Sequence, residues 1–198
     1  MPADPFTLRA VSGLPTSPGP LSESTLLIID AQVEYTGGAL ELVGVDAALD
    51  TLQAVLARAR SEGCPVIHVA HLGASGGAFD PDGGGRIIDA VAPVEGESIV
   101  TKNLPNAFAG TDLAGQLRAH GDRPLVIGGF MTHMCVSATA RAATDLGFDS
   151  VVLSDATATR SLPSASGSGS VPAAALHEAA LAALADRFSV VAPATALL

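Results

Sequence analysis

The chain has 198 residues, 48% of them hydrophobic, with no tryptophan and a single tyrosine, so its core must be aliphatic. Ten basic against twenty acidic residues give a formal net charge of −10, which argues against nucleic acid or an anionic membrane as partner, since both need a basic footprint. Every apolar run falls short of the ~18–20 residues that span a bilayer, and two cysteines, Cys64 and Cys135, make no disulfide framework.

The N-terminus lacks the charged and apolar regions of a secretory signal, so a cytoplasmic location with both thiols reduced is expected. Residues 1–22 carry Pro2, Pro5, Pro15, Pro18 and Pro20 and read as an extended arm, followed by one domain over 23–198. Thr25–Asp30 (TLLIID) is the first β-rich run. Val45–Ala59 follows as a helix, with Val45, Ala48, Leu49, Leu52, Val55, Leu56 and Ala59 on one stripe and a stop at Gly63 and Pro65. Pro65–Ala70 (PVIHVA) is the second run, and a glycine-rich loop over 73–85 has the length of a binding loop or lid.

Ser98–Thr101 is the third run, and Asp112–His120 a helix ended by Gly121. Pro124–Gly129 is the fourth, followed by a helix over Cys135–Leu146 that stops at Gly147. Ser150–Ser154 is the fifth. A second glycine-rich segment, 161–170, reads equally as a lid or as a disordered loop, before a helix over Pro172–Ala185 and the last run, Phe188–Ala192. Continuously apolar strands alternating with helices predict a doubly wound α/β fold with a parallel sheet buried on both faces.

Ligands of such sheets bind beyond the carboxyl ends of the strands. Asp30 ends the first strand, Lys102 immediately follows the third, and Cys135 stands past the fourth where a helix is predicted. A thiol at a helix start beside an ammonium is expected to have a stabilised thiolate. A carboxylate in reach can take its proton and later activate water. These three complementary groups are the predicted catalytic set. Gln32, Tyr35, His71, Phe79, Phe108, Met131 and His133 are the pocket candidates, and the absence of a two-arginine clamp speaks against a dianionic substrate.

Other polar residues receive plainer readings. Cys64, at the entry to the second strand, is structural; Asp155 caps a turn; His177 packs on the last helix or meets a partner; His133 lines the pocket or faces solvent. His68 and His71 point to opposite faces of a strand, so they are read as a core histidine and a pocket-wall residue, with no catalytic metal. G-x-G-x-x-G is absent after the first strand, which argues against a dinucleotide loop. No cofactor is expected.

The segments LLIIDAQVEY (26–35), VTKNLPNAFAGTDL (100–113) and GGFMTHMCVSATARAATDLGF (129–148), with LSDAT (153–157) and a late helix containing His177, resemble the isochorismatase-like cysteine hydrolases, which include nicotinamidases and other small-molecule amidases. The resemblance implies a three-layer α/β/α fold with six strands in the order 3-2-1-4-5-6. It also implies roles of carboxylate, lysine and nucleophile for Asp30, Lys102 and Cys135, and an oxyanion hole from the N–H groups of Met131 and Cys135. A cis Phe130–Met131 peptide and a homodimer or homotetramer are further implications. The activity implied is cleavage of a small amide through a thioester. Two alternatives stay open: a vinyl-ether hydrolase of the isochorismatase type, which has no use for a thiol, and a non-catalytic binding or redox protein.

Overall fold

The computed structural model describes residues 5–198. Six parallel strands, β1 (Thr25–Ile29), β2 (Val66–His71), β3 (Ser98–Lys102), β4 (Leu125–Phe130), β5 (Ser150–Ala158) and β8 (Val190–Ala192), form one sheet in the order β3-β2-β1-β4-β5-β8. A two-residue-stranded hairpin, β6 (Leu162–Pro163) with β7 (Ser170–Val171), occupies the second glycine-rich segment. The expected order is thus observed, with the hairpin inserted before the last strand. The helices are α1 (Leu8–Val11), α2 (Val45–Glu62), α3 (Leu113–Ala119), α4 (Ser137–Asp145) and α5 (Ala173–Arg187). No helix among the described residues is long and apolar enough to cross a membrane.

The sequence explains the layers. In β1 all five residues are buried, and alternation divides them. Leu26 and Ile28 pack with the α2 stripe of Leu52, Val55, Leu56 and Ala59 on one face. Leu27 and Ile29 pack with Leu113, Leu117, Ala140, Ala143, Leu181 and Leu184 from α3, α4 and α5 on the other. Helix α2 ends where Gly63 adopts φ 69°, its N–H returning to the carbonyls of Ala59 and Arg60.

The arm is not extended throughout. Thr7 caps the short helix α1 by accepting from Ala10 N–H, and Leu8 N–H donates to Asp186 of α5 at 2.9 Å. The Arg9 side chain is 5% exposed and reaches Asp149 at 3.9 Å. Proline spacing gave no sign of this docking, because it depends on α5 and on the turn before β5. Residues 1–4 of the arm lie outside the described residues.

Strand order reverses at β1, which pairs with β2 on one side and β4 on the other. This switch point is where a crevice opens in such sheets. Gly128 and Gly129 let β4 approach: a Cβ at Gly128 would press on Leu52 Cδ1, and one at Gly129, which has φ 112°, would fall inside the Ile29 backbone.

Candidate active site

Three strand ends converge at that point. Asp30 follows β1, Lys102 is the last residue of β3, and Cys135 lies in a π-turn, Thr132–Val136, between β4 and α4. Asp30, Lys102 and Cys135 are 0%, 2% and 5% exposed. Lys102 Nζ donates to Asp30 Oδ2 at 2.7 Å and to Cys135 Sγ at 3.4 Å, so one ammonium ties acid and thiol together. Asp30 has the left-handed φ of 49°. Its backbone is held on both sides, the N–H donating to Val69 O and the carbonyl accepting from Gln32 N–H. Its second carboxylate oxygen, Oδ1, is buried and has no hydrogen-bond partner among the described residues.

Burial governs the proton equilibria here. It pushes the Asp30 carboxyl above the ordinary value, against the pull of Lys102. It also pushes the Cys135 thiol up to about 12, with the neighbouring Asp30 charge adding to the rise and Lys102 opposing it. This corrects the expectation of a stabilised thiolate. Helix α4 begins at Ser137, not at Cys135, so the sulfur lies in the π-turn before it, and desolvation outweighs the lysine.

The Phe130–Met131 peptide is cis. Met131 O accepts from Met134 N–H and Val136 N–H, while Met131 N–H has no acceptor among the described residues. The turn is fastened from α5 and β5. Thr132 Oγ1 meets His177 Nδ1 at 3.0 Å, and His177 Nε2 donates to the carbonyl of Ser154 at 3.1 Å, which leaves Nδ1 to accept from the threonine hydroxyl. Asp155 lies within β5 and does not cap the turn that follows it; its Oδ1 accepts from Ala194 N–H at 2.8 Å, in the turn after β8.

The pocket candidates divide. Tyr35 is buried with its ring edge-on to Phe79 (5.4 Å) and Phe130 (5.8 Å). Burial, then the charges of Asp30 and Cys135, push its phenol up. Phe79, on the 73–85 loop, also contacts the His71 ring at 5.0 Å, and His71 Nδ1 lies 3.5 Å from Lys102 Nζ. Burial and that ammonium hold His71 below the ordinary histidine value.

Gln32 and Phe108 are corrections. Gln32 is fully buried; its Nε2 donates to the carbonyls of His71 and Gly85 and its Oε1 accepts from His71 N–H. With its amide satisfied by backbone it pins the 73–85 loop to β2 and has nothing left for a substrate. The Phe108 ring stacks on Phe148 at 5.9 Å and 16°, against the α3–α4 side of the core.

His68 and Cys64 are structural as read. His68 Nε2 lies 2.9 Å from Glu97, whose carboxylate also takes Arg60. Cys64 Sγ donates to Leu21 O. Among the described residues no three His, Cys, Asp or Glu side chains are grouped as metal ligands would be.

Arg160 and Thr159 escaped the sequence reading. Strand β5 extends to Ala158, beyond Ser154, because an irregularity lets Gly129 of β4 pair with Thr157 after Ile127 has paired with Val152. The alternating ATAT of 156–159 is the only sign of this in the sequence. It brings Thr159 to His133, Oγ1 to Nδ1 at 2.6 Å, with Arg160 next in the chain.

A doubly wound parallel sheet with buried polar side chains gathered at its switch point defines an α/β domain with its candidate site at the carboxyl edge of the sheet. Residues 24–196 match the isochorismatase domain; the chain belongs to the isochorismatase family of hydrolases. A secreted isochorismatase effector of Verticillium dahliae is 36% identical over 184 residues, 92% of this chain and 94% of that protein. A ureidoacrylate amidohydrolase of Stutzerimonas stutzeri is 30% identical over 73% of this chain and 75% of its own length. The crystal structure of an isochorismatase from Pseudomonas putida superposes with a TM-score of 0.93 at 42% identity, covering 98% of this chain and all of that one.

Proposed function

We propose that the chain is an amidohydrolase acting through a thioester at Cys135. The observation that carries this reading is the buried contact of Lys102 Nζ with both Asp30 Oδ2 and Cys135 Sγ. Because burial raises the thiol, the reading has the proton leave as sulfur bonds to carbon. Asp30 Oδ1, unpartnered and buried, is the acceptor for it. Cys135 Sγ adds to the carbonyl carbon while its proton passes to Asp30. The oxyanion that forms is met by Met131 N–H and Cys135 N–H. Collapse breaks the C–N bond as Asp30 returns the proton to nitrogen, and ammonia or an amine leaves. Water then adds to the thioester, giving a proton to Asp30. Rupture of the C–S bond releases the acid, and the proton returns to sulfur. Lys102 remains charged throughout and keeps the carboxylate from being the lone ion in a dry site.

A second reading draws on the name of the Verticillium relative, a vinyl-ether hydrolysis that protonates carbon and needs no thiol. An amide-hydrolysis screen, read by ammonia release and product mass over nicotinamide, ureido acids, maleamate and lactams, separates the two. Turnover of at least one amide is expected. Hydrolysis of a vinyl ether alone, undiminished in Cys135→Ala, would overturn the amidase reading.

A further inference from the structure

The turn that carries Cys135 is tied to two separate elements by threonine–histidine contacts. Thr132, the residue after Met131, meets His177 of α5, Oγ1 to Nδ1 at 3.0 Å. His133, its neighbour, meets Thr159 just beyond β5 at 2.6 Å. The first contact is fully specified. Ser154 lies in the stretch of β5 that β4 skips, between the Ile127–Val152 and Gly129–Thr157 pairs. Its carbonyl is free of that ladder and accepts from His177 Nε2 at 3.1 Å. A carbonyl only accepts, which puts the ring hydrogen on Nε2 and leaves Nδ1 for the Thr132 hydroxyl. Thr132 is 0% exposed and its hydroxyl makes no other hydrogen bond among the described residues, and a buried hydroxyl must place its proton.

His177 itself is half-buried and lines a cavity of about 330 Å³ with Ala48, Ala158, Thr159 and Ala173. That side of the ring is open, so its two hydrogen bonds, more than packing, fix its orientation. What they hold bears on the chemistry. Met131 N–H comes one residue before Thr132 and Cys135 N–H three after it. Met131 O already takes Met134 N–H and Val136 N–H from within the turn. The Thr132 side chain is where the same stretch is gripped from outside. Two oxyanion donors work only if they converge on one point; losing one costs about 10²–10³-fold, and a misplacement of about 1 Å can cost about 10²-fold.

We propose that His177 is a positioning residue: through Thr132 it sets the convergence of the Met131 and Cys135 N–H groups on the oxyanion. The role rests on the thioester reading, and two reactions of the same thiol separate the two. With p-nitrophenyl acetate, Cys135 Sγ bonds to the carbonyl carbon and an oxyanion forms. The C–O bond then breaks, p-nitrophenolate leaves and acetyl stays on sulfur. With iodoacetamide, Sγ bonds to a saturated carbon as iodide leaves, and no oxyanion forms. Acylation is timed by first-turnover p-nitrophenolate release above the Cys135→Ala background, and alkylation by mass spectrometry of the Cys135 peptide. The quantity read is the acylation-to-alkylation ratio divided by that of free cysteine, in which changes of thiol acidity common to both reactions cancel.

The parent ratio should exceed one by about tenfold or more, and His177→Leu should lower it by about tenfold or more while alkylation stays within about twofold. His177→Asn, whose Oδ1 takes the place of Nδ1, should keep most of the ratio. His177→Gln, whose amide lies at the Nε2 position, should not. Thr132→Val removes the same contact from the other side and should match His177→Leu, which keeps the test if the α5 variant does not fold. Adding His177→Leu to Thr132→Val should lower the ratio no further. A ratio unchanged in both His177→Leu and Thr132→Val overturns the positioning role and leaves the thioester reading standing. So do acylation and alkylation falling together, or His177→Asn behaving as His177→Leu. A parent ratio no higher than that of free cysteine would instead remove the oxyanion hole, and with it the thioester reading and this role.

Discussion

Cys135→Ala is expected to lower hydrolysis of any amide the protein cleaves by on the order of 10⁴-fold or more, because it removes the atom that forms the covalent bond. Stability should change little, since alanine only trims one sulfur from the switch-point side of the core. The variant should still bind its substrate, and its circular dichroism and thermal midpoint should resemble those of the parent. Cys64→Ala provides the contrast. Cys64 is buried at the amino-terminal end of β2, donating to Leu21 O, far along the strand direction from the site. Turnover should persist there. Full activity in Cys135→Ala, or loss confined to Cys64→Ala, would mean that the nucleophile has been misassigned.

Asp30→Asn is expected to have the next largest effect. The amide keeps an oxygen for Lys102 but cannot take a proton, and loss of a positioned general base costs about 10²–10⁴-fold. The pH profile adds a sign. Asp30 must be ionised to act, and burial raises its pKa. The acid limb of kcat/KM in the parent should therefore have its midpoint above the ordinary carboxylate value of about 4, with activity lost as pH falls through it. In Asp30→Asn the residual rate should lack that limb. A limb at or below the ordinary value, or one unchanged in the variant, would point to a different base.

Much of the architecture could be read from pattern alone. The six apolar runs are the six sheet strands, and the stripe from Val45 to Ala59 is the buried face of α2. Asp30, Lys102 and Cys135 could be placed together because parallel strands deliver their carboxyl ends to one edge, so position in a strand fixes position in space. What resisted reading depends on contacts between distant segments. Gln32 looks like a pocket residue by position, but it is satisfied by carbonyls at 71 and 85, partners that only the folded loop brings within reach. The thiol's acidity is set by how dry the site is, and a helix-start argument does not contain that quantity. Thr159 became relevant through a register irregularity between β4 and β5, for which an apolar pattern has no term.

The central claim is a covalent thioester on Cys135, and partitioning of that intermediate tests it most directly. With an amide that the protein cleaves, hydroxylamine is added during turnover and products are separated by mass, while a parallel acid-quenched sample is digested to map any acyl group. The account predicts a hydroxamate that grows with hydroxylamine at the expense of the free acid, and an acyl mass on the Cys135 peptide that is absent in Cys135→Ala. Free acid as the sole product at every hydroxylamine concentration, with no acyl mass on Cys135, would contradict it.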